Sequence, residues 1–230
     1  MSRPPTGPTG RQLAFPQPLR ETLGRDDLMV APSNARAVAL LDGWADWPDA
    51  RLALVGPPAS GKSHLAAIWA AETGARVVPA ARLRAADAPA LAEGPVAVED
   101  GDRGVDEDAL FHLWNACART GAPLLLTARR APADWGARLP DLASRLASLT
   151  PATIEDPDDA LLGVLLVKLF ADRQIAVRPA LVGWLMRRIE RSHAAAADAV
   201  ARLDAAALAE GRPVDERLAR AVLDNPGAAA

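Results

Sequence analysis

The residues best suited to chemistry in this sequence form one continuous loop with the pattern G-x-x-x-x-G-K-S. The pattern is filled by Gly56, Pro57, Pro58, Ala59, Ser60, Gly61, Lys62 and Ser63, and His64 follows it. An apolar run precedes the loop and a helical pattern leads out of it, which is the context that such a loop requires. Its backbone N–H groups surround a phosphate group, and the helix dipole favours an anion there. We therefore expect Lys62 to reach the β- and γ-phosphates of a nucleotide and Ser63 to ligate Mg²⁺.

A pair of acids follows another apolar stretch, at Val96–Glu99 and Asp100. A phosphate-binding loop needs an acidic partner on a neighbouring strand, which holds the metal and orients water. We expect Glu99 on the metal side and Asp100 in the position of a catalytic base. An ordinary acidic turn would show the same two residues, but the phosphate loop upstream favours the functional interpretation.

Short apolar strands alternate with helical patterns from about residue 21 to 155. The predicted strands are Leu52–Val55, Arg76–Pro79, Val96–Glu99, Leu124–Thr127 and Ala152–Glu155. The predicted helices are Asn34–Trp44, Lys62–Thr73, Glu107–Thr120 and Pro140–Leu149. This alternation predicts an α/β domain over 21–155, with a parallel sheet that helices cover on both faces.

The pattern changes at Asp156 and Pro157, after which only helices are expected. They are placed at about 158–173, 179–190, 192–209 and 214–223, and together they predict a small all-helical lid domain over 156–230. Residues 1–20 are rich in proline and glycine without sustained periodicity, which predicts a flexible N-terminal tail.

Composition narrows the classes of function. The 230 residues are 50% hydrophobic and 24% charged, as in ordinary globular proteins, and the net charge is −3. No basic field is available to hold the chain on DNA or on an anionic membrane. The first residues contain no apolar signal core, no apolar run has the length of a bilayer span, and the single cysteine cannot form an internal disulfide. We expect a cytoplasmic protein.

Several segments together resemble the AAA+ module of the bacterial replication initiator DnaA. They are the residues 61–65, the stretches 27–30 and 33–34, the helical C-terminal region, and Pro140–Leu146, which resembles the segment that carries the arginine finger of that family. The resemblance covers about residues 22 to 225.

The DnaA resemblance implies roles for residues outside the phosphate loop. Arg145 would be an arginine finger that acts on a partner, Met29 and Val30 would line the adenine pocket, and Arg191 would be a second sensor that touches phosphate from the lid. The residues alone allow other interpretations: Arg145 as a solvated surface arginine, Met29 and Val30 as ordinary core residues, and Arg191 as an exposed charge at a helix end.

Features at the two ends of the sequence distinguish it from DnaA itself and favour a DnaA-related family. DnaA continues past its lid into a helix-turn-helix domain that binds DNA, whereas this sequence reaches Ala230 without one. We therefore expect a protein similar to the Hda family, the DnaA-related regulatory inactivators of DnaA. The tail residues Gln12, Leu13, Ala14, Phe15 and Pro16 resemble the short peptide with which replication proteins dock on the β sliding clamp (DnaN). An ordinary polar tail is the alternative.

At two places the sequence departs from the DnaA pattern in residues that bear on ATP hydrolysis. The pair Glu99-Asp100 replaces an Asp-first pair, and Ala128 and Arg129 stand where the family tends to have a Ser-Asp sensor pair. We expect binding of ADP or ATP with Mg²⁺, and weak or no ATP hydrolysis by the protein itself.

The expected function is regulatory. The protein would bind nucleotide, dock on the DNA-loaded clamp and stimulate ATP hydrolysis by DnaA, which inhibits initiation of replication. DNA would be contacted only through the clamp, no membrane is involved, and a homodimer is possible. The alternative is an autonomous AAA+ ATPase such as a helicase loader or a clamp-loader subunit. A small-molecule kinase lacks a recognisable acceptor site, and a DNA-binding initiator is disfavoured by the net charge.

Overall fold

The sheet is built from five short strands. The computed structural model describes Arg25 and residues 28–224. The strands are β1 (Arg51–Val55), β2 (Arg76–Pro79), β3 (Val96–Glu99), β4 (Leu124–Ala128) and β5 (Pro151–Thr153). Their order across the sheet is β2-β3-β4-β1-β5, and every neighbouring pair is parallel. The predicted parallel sheet is confirmed.

Helices lie between the strands and also follow the last of them. Helix α1 (Pro32–Asp42) precedes β1, and the helices between strands are α2 (Lys62–Thr73), α3 (Ala88–Leu91), α4 (Glu107–Thr120) and α5 (Pro140–Ser148). The helices after β5 are α6 (Asp159–Asp172), α7 (Pro179–Met186), α8 (His193–Glu210) and α9 (Glu216–Leu223). None of the helices in the described part of the chain combines the length and the apolar character needed to cross a membrane.

The sheet is buried on both faces, as parallel sheets generally are. Successive side chains of a strand point to opposite faces, and β3 shows this directly. Val96 belongs to the same buried cluster as Leu113 of α4, whereas Ala97 belongs to the cluster that contains Trp69 of α2. Helices α6 to α9 enclose a third cluster of their own, around the fully buried Phe170. The predicted cover of helices on both faces is confirmed.

The boundaries differ from the predicted ones by a few residues, and α3 was not predicted. Strand β1 begins one residue earlier than predicted because Arg51 pairs in register with Leu124 of β4, and the buried Arg51 side chain donates through Nη2 to the carbonyl of Trp114 at 3.1 Å. Helix α1 begins at Pro32, whose fixed φ suits a first helical position. The predicted clamp-binding residues 12–16 lie outside the described residues.

Candidate functional site

A cavity of about 640 Å³ opens between the phosphate-binding loop and helices α6 and α8. This volume lies within the range of sites that hold small ligands and cofactors. From the loop and the sheet, its walls are formed by Pro58, Ala59, Ser60, Gly61, Lys62, Ser63, His64, Asp100 and Arg129. From the helices that follow the sheet, the walls are formed by Leu165, Lys168, Leu169, Asp172, Arg173, His193 and Ala197.

The loop that joins β1 to α2 has the backbone shape of an anion cradle. Gly61 has a φ of +85°, and it immediately precedes the first residue of α2. Ala59 also has a positive φ, of +61°, which is costly for a residue with a Cβ atom. At Gly56 a Cβ atom would stand only 2.8 Å from Ser60 Oγ and 3.1 Å from the carbonyl oxygen of Ile154. The loop therefore needs glycine at its start and holds a strained conformation at its tip.

Lys62 lies at the base of this cradle. Its side chain is buried, and Nζ donates to the carbonyl oxygens of Gly56 at 2.8 Å and Pro57 at 2.7 Å. Burial lowers the pKa of Lys62, the nearby charge of Arg129 lowers it further, and Asp100 acts in the opposite direction. The loop thus holds a poorly solvated ammonium group whose acceptors are these two carbonyl oxygens and, at 3.5 Å, the Ser60 hydroxyl, and phosphate oxygens are stronger acceptors.

Of the two predicted acids, Asp100 is the one that lines the cavity. Its φ is +56°, and its N–H donates to the buried Oγ1 of Thr127 at 3.1 Å, so the end of β3 is tied to the end of β4. Glu99 is the last residue of β3, is partly buried and pairs in register with Pro79. It does not line the cavity. Of the residues predicted to act at the metal and at the attacking water, Ser63 and Asp100 therefore line the cavity and Glu99 does not.

Asp102 is a buried acid that the sequence analysis did not single out. Its side chain is 3% exposed, and Oδ2 accepts hydrogen bonds from the backbone N–H groups of Arg129 and Arg130, each at 3.2 Å. Its other oxygen, Oδ1, is buried and has no hydrogen-bond partner among the described residues. The carboxylate fixes the loop that follows β4, and thereby the position from which the Arg129 side chain departs.

The opposite wall of the cavity comes from one face of α6 and from the start of α8. The lining positions 165, 168, 169 and 172 share one face of α6, because residues three or four apart are neighbours on a helix, and position 173 directly follows α6. Lys168 Nζ pairs with Asp172 at 3.3 Å, and Arg173 Nε lies 3.6 Å from Asp204. Burial lowers the pKa of His193, whose Nδ1 has no hydrogen-bond partner within the described residues.

Three predicted site residues do not line this cavity. Arg191 pairs with Asp159, with Nη2 at 3.1 Å from Oδ2, and both side chains are largely exposed. The hydrogen bond to Asp159 raises the pKa of Arg191. The carbonyl of Met29 accepts a hydrogen bond from Asn34 at 2.7 Å, and Val30 is 60% exposed. None of these three residues is among those that form the cavity walls.

Arg145 lies near the amino end of β1, whereas the phosphate loop follows its carboxyl end. Arg51 is the first residue of β1, and burial lowers the pKa of its guanidinium group. The positive charge of Arg145 lowers this pKa as well, because the two guanidinium groups are near one another. The Arg145 guanidinium covers the ring of Phe111 at 4.8 Å, and Nη1 donates to Asn115 Oδ1 at 2.6 Å. A five-residue strand is roughly 15 Å long. Arg145 is therefore distant from the phosphate loop of its own chain.

The cavity is positively charged although the chain as a whole carries a net charge of −3. Four cationic side chains line it, against two carboxylates, Asp100 and Asp172. The cations are Lys62, Arg129, Lys168 and Arg173. A partly enclosed cleft lined mainly by one sign of charge concentrates ligands of the opposite sign. The arrangement is suited to an anion with several charges.

Sequence reasoning missed most of the helical wall and treated Arg129 only as a departure from a pattern. The regular spacing on α6 could have indicated a common face, but not what that face contacts. His193 was not singled out from the sequence, and only the packing of α8 shows that it lines the cavity.

A loop of this kind on a parallel five-stranded sheet, followed by a bundle of helices, is a fold that the chain shares with solved structures of DnaA and RuvB. Domain III of DnaA from Thermotoga maritima is similar over 91% of this chain and 98% of that one, with a TM-score of 0.70 and 17% identity. DnaA from Aquifex aeolicus bound to AMPPCP is similar over 72% of this chain and 60% of that one, with a TM-score of 0.58 and 15% identity.

The fold is also shared with a motor protein. The RuvB Holliday junction branch migration motor of Thermotoga maritima is similar over 84% of this chain and 66% of that one, with a TM-score of 0.61 and 13% identity. No protein-family model matches the sequence. No curated protein matches it either.

Proposed function

We propose that this protein binds ADP or ATP with Mg²⁺ and regulates ATP hydrolysis by DnaA. The observation that carries the nucleotide part is the convergence of Lys62, Ser63 and Asp100 on one positively charged cavity at the start of α2. Lys62 would bind phosphate oxygens in place of the loop carbonyls. Ser63 and Asp100 would hold Mg²⁺, which neutralises charge on the phosphates. The DnaA structure with AMPPCP supports this proposal by likeness of fold.

The described residues offer Mg²⁺ only part of a coordination shell. No group of three or more His, Cys, Asp or Glu side chains within residues 28–224 is arranged to hold a metal ion. Mg²⁺ ordinarily takes one or two protein oxygens together with phosphate oxygens and water. We therefore expect metal binding to depend on the nucleotide.

The regulatory part of the proposal is supported by the position of Arg145. A guanidinium group near the amino end of β1 is remote from its own phosphate loop and can complete only a site on another molecule. An arginine supplied in trans accelerates phosphoryl transfer by about 10³–10⁵, because it neutralises charge that develops on the transferred group. The proposed target is ATP bound to DnaA, and docking on the β sliding clamp through residues 12–16 would bring the two proteins together.

The second candidate is an autonomous AAA+ ATPase. It is favoured by one observation, the presence of Asp100 on the wall of the same cavity as Ser63, where an acid can orient the attacking water. ATP turnover by the purified protein alone distinguishes it from a regulator that has little turnover of its own.

Nucleotide binding is tested by titrating the protein with labelled ADP in Mg²⁺. Lys62→Ala should weaken binding by about a hundredfold, the size of a buried charged contact with phosphate. The matched control is Lys168→Ala, because Lys168 also lines the cavity but is paired with Asp172. Equal affinity of Lys62→Ala and the parent protein would refute the site.

The regulatory step is tested by phosphate release from DnaA bound to ATP, with clamp loaded on DNA, with and without this protein. We expect stimulation that requires the clamp and is lost when Gln12 and Phe15 are both changed to alanine. Stimulation that persists without clamp would contradict the docking role of the tail. ATP hydrolysis by the protein in the absence of DnaA, at the same rate, would favour the autonomous ATPase.

A further inference from the structure

Trp135 lies against Gly101, in the turn that follows strand β3. A Cβ atom at Gly101 would stand 2.4 Å from Cη2 of Trp135 and 3.0 Å from its Cζ3, and the first of these is a separation that real Cβ atoms do not reach. Gly101 is buried and does not have a positive φ, so its backbone conformation does not require glycine. Glycine is needed here because the indole ring occupies the place of a side chain.

The indole ring of Trp135 is itself held in place. Its Nε1–H donates to the carbonyl of Arg130 at 3.0 Å, and the side chain packs against the buried cluster that contains Leu113. The backbone N–H of Trp135 donates to the carbonyl of Pro132 at 3.2 Å. Trp135 belongs to the segment that joins β4 to α5, so its contact with Gly101 joins two segments that are separate along the chain.

The turn that Trp135 contacts also carries Asp100, which lines the cavity. Asp100 has a φ of +56°, a left-handed conformation that persists only where the surroundings enforce it. Strand β4 supplies one constraint, because Thr127 accepts the N–H of Gly101 at its carbonyl at 2.8 Å and the N–H of Asp100 at Oγ1 at 3.1 Å. Trp135 supplies a second constraint, from the segment that follows β4.

The Asp100 carboxylate depends on this backbone for its direction. Within the described residues it forms an ion pair with Arg103 at a long 3.9 Å, and both side chains are more than half exposed. An exposed pair of this kind fixes a side chain weakly. The conformation of the turn, rather than a partner of the carboxylate, therefore decides where the carboxylate points.

We propose that Trp135 is a positioning residue for the metal. By packing on Gly101 it keeps the turn in the strained conformation that presents Asp100 to the cavity, and it thereby strengthens the binding of Mg²⁺ together with the nucleotide. This inference rests on the proposed function, in which Asp100 and Ser63 hold Mg²⁺. Substitution of a residue that orients a metal ligand without touching the metal commonly changes metal affinity about 10–100-fold.

The test is the dissociation constant of ADP with Mg²⁺ and with EDTA, at one ionic strength. The measured quantity is the gain in ADP affinity that Mg²⁺ produces. Trp135→Phe removes the ring atoms that reach Gly101 and keeps an aromatic side chain for the buried cluster. We expect the gain to fall about tenfold, while the affinity in EDTA changes less than about twofold.

Trp44→Phe is the matched control for Trp135→Phe. Trp44 is also a partly buried tryptophan, but it packs against a different buried cluster and does not line the cavity. It should leave the gain from Mg²⁺ unchanged. A role of Trp135 in stability alone would lower the free energy of unfolding in urea without changing this gain.

Gly101→Ala perturbs the same contact from the side of the turn. In the parent protein the new methyl group should displace the turn or the ring, and the gain from Mg²⁺ should fall as it does in Trp135→Phe. In the Trp135→Phe background the ring atoms nearest to Gly101 are absent, so Gly101→Ala should cause little further loss. Such non-additivity is expected of two residues in direct contact. Gly101→Ala alone also tests the contact if Trp135→Phe does not fold.

Asp100→Asn separates the possible failures. We expect it to remove most of the gain from Mg²⁺. If it does so while the folded variants Trp135→Phe and Gly101→Ala keep the gain, the positioning role of Trp135 is overturned and the metal site stands. If Asp100→Asn keeps the gain, or if the folded parent protein binds no ADP, the proposed function is itself overturned at that site.

Discussion

Cations gather near both ends of strand β1, in two different surroundings. At the carboxyl end, Lys62 and Arg129 face a cavity of about 640 Å³, and within the described residues the Arg129 guanidinium makes no hydrogen bond or ion pair. At the amino end, Arg51 covers the ring of Trp114 at 4.9 Å and Arg145 covers the ring of Phe111 at 4.8 Å. The carboxyl end is therefore arranged to receive an anion, whereas the amino end fixes guanidinium groups against its own helices.

This difference has a cause in the parallel sheet. Strand ends of the same kind meet at one edge, so loops that follow β1, β3 and β4 converge and leave a crevice between them. The amino end of β1 is instead covered by α4, whose residues supply the two aromatic rings. A cation held there is ready for a partner without being free to move, which lowers the entropy lost on contact.

The largest expected effect is that of Arg145→Ala on hydrolysis by DnaA. If the amino end completes a partner's site, stimulated phosphate release should fall by about 10³ or more, because the missing charge acts in the transition state. Binding of ADP should not change, since the cavity is at the other end of β1. Phosphate release from DnaA bound to ATP, with clamp on DNA, measures the first effect and ADP titration the second.

Two variants sharpen this test. Arg145→Lys should restore little activity, because an ammonium group lacks the planar fork of guanidinium. Arg138→Ala should behave as the parent protein, since Arg138 precedes α5 and its side chain is 91% exposed. Full stimulation of DnaA hydrolysis by Arg145→Ala would contradict a role for the amino end of β1 in completing a partner's site.

The next largest effect is on stability and nucleotide binding, and it concerns only the phosphate loop at the carboxyl end of β1. In Gly56→Ala the new Cβ atom would meet Ser60 Oγ at 2.8 Å and the carbonyl oxygen of Ile154 at 3.1 Å. We expect a loss of about 1–3 kcal/mol in the free energy of unfolding and weaker ADP binding, because the carbonyl of Gly56 also positions Lys62. Urea unfolding and ADP titration measure the two effects.

Gly94→Ala is the matched control for Gly56→Ala. A Cβ atom at Gly94 meets nothing within 4 Å, so this variant should keep both stability and affinity. A similar loss in both variants would show that the glycines of this sheet are needed for a reason other than the close approach at the phosphate loop.

A smaller effect on hydrolysis by DnaA is expected when Arg145 keeps its charge but loses its hydrogen bond to Asn115. Asn115→Ala removes the acceptor that Nη1 contacts at 2.6 Å and leaves the Phe111 ring in place. Stimulated hydrolysis should fall about fivefold, as for one net hydrogen bond, with ADP binding unchanged. A decrease as large as that of Arg145→Ala would mean that Asn115 itself contacts the partner, which an activity comparison with Asn115→Gln would reveal.

The smallest effect is on the pH dependence of stability and concerns the helical wall of the cavity. Burial lowers the pKa of His193 below its ordinary value of 6.5 in the folded protein. At pH values just below 6.5, the unfolded chain therefore binds a proton at this residue that the folded chain does not bind. The free energy of unfolding should therefore decrease as the pH falls from 6.5 towards the folded-state pKa. His193→Gln should flatten this part of the curve in urea titrations, and an unchanged slope would contradict the burial of the neutral ring.

The sequence by itself determined the phosphate loop, the alternation of strands and helices, and the placement of Arg145 on a separate helix. These depend on short-range features: the spacing of Gly56, Gly61 and Lys62, the apolar strand before them, and the proline that begins α5. Such features act within one turn or one strand and can be recognised without knowledge of the packing.

The tertiary structure alone decided which charges share a cavity. The strand order places Arg129 between the phosphate loop and Asp100, and it leaves Glu99 outside the cavity walls. The packing of α6 and α8 brings Lys168 and His193 to the same cavity, while Arg191 pairs with Asp159 instead. These residues are far apart along the chain, and only the crossing of strands and helices sets the distances between their charges.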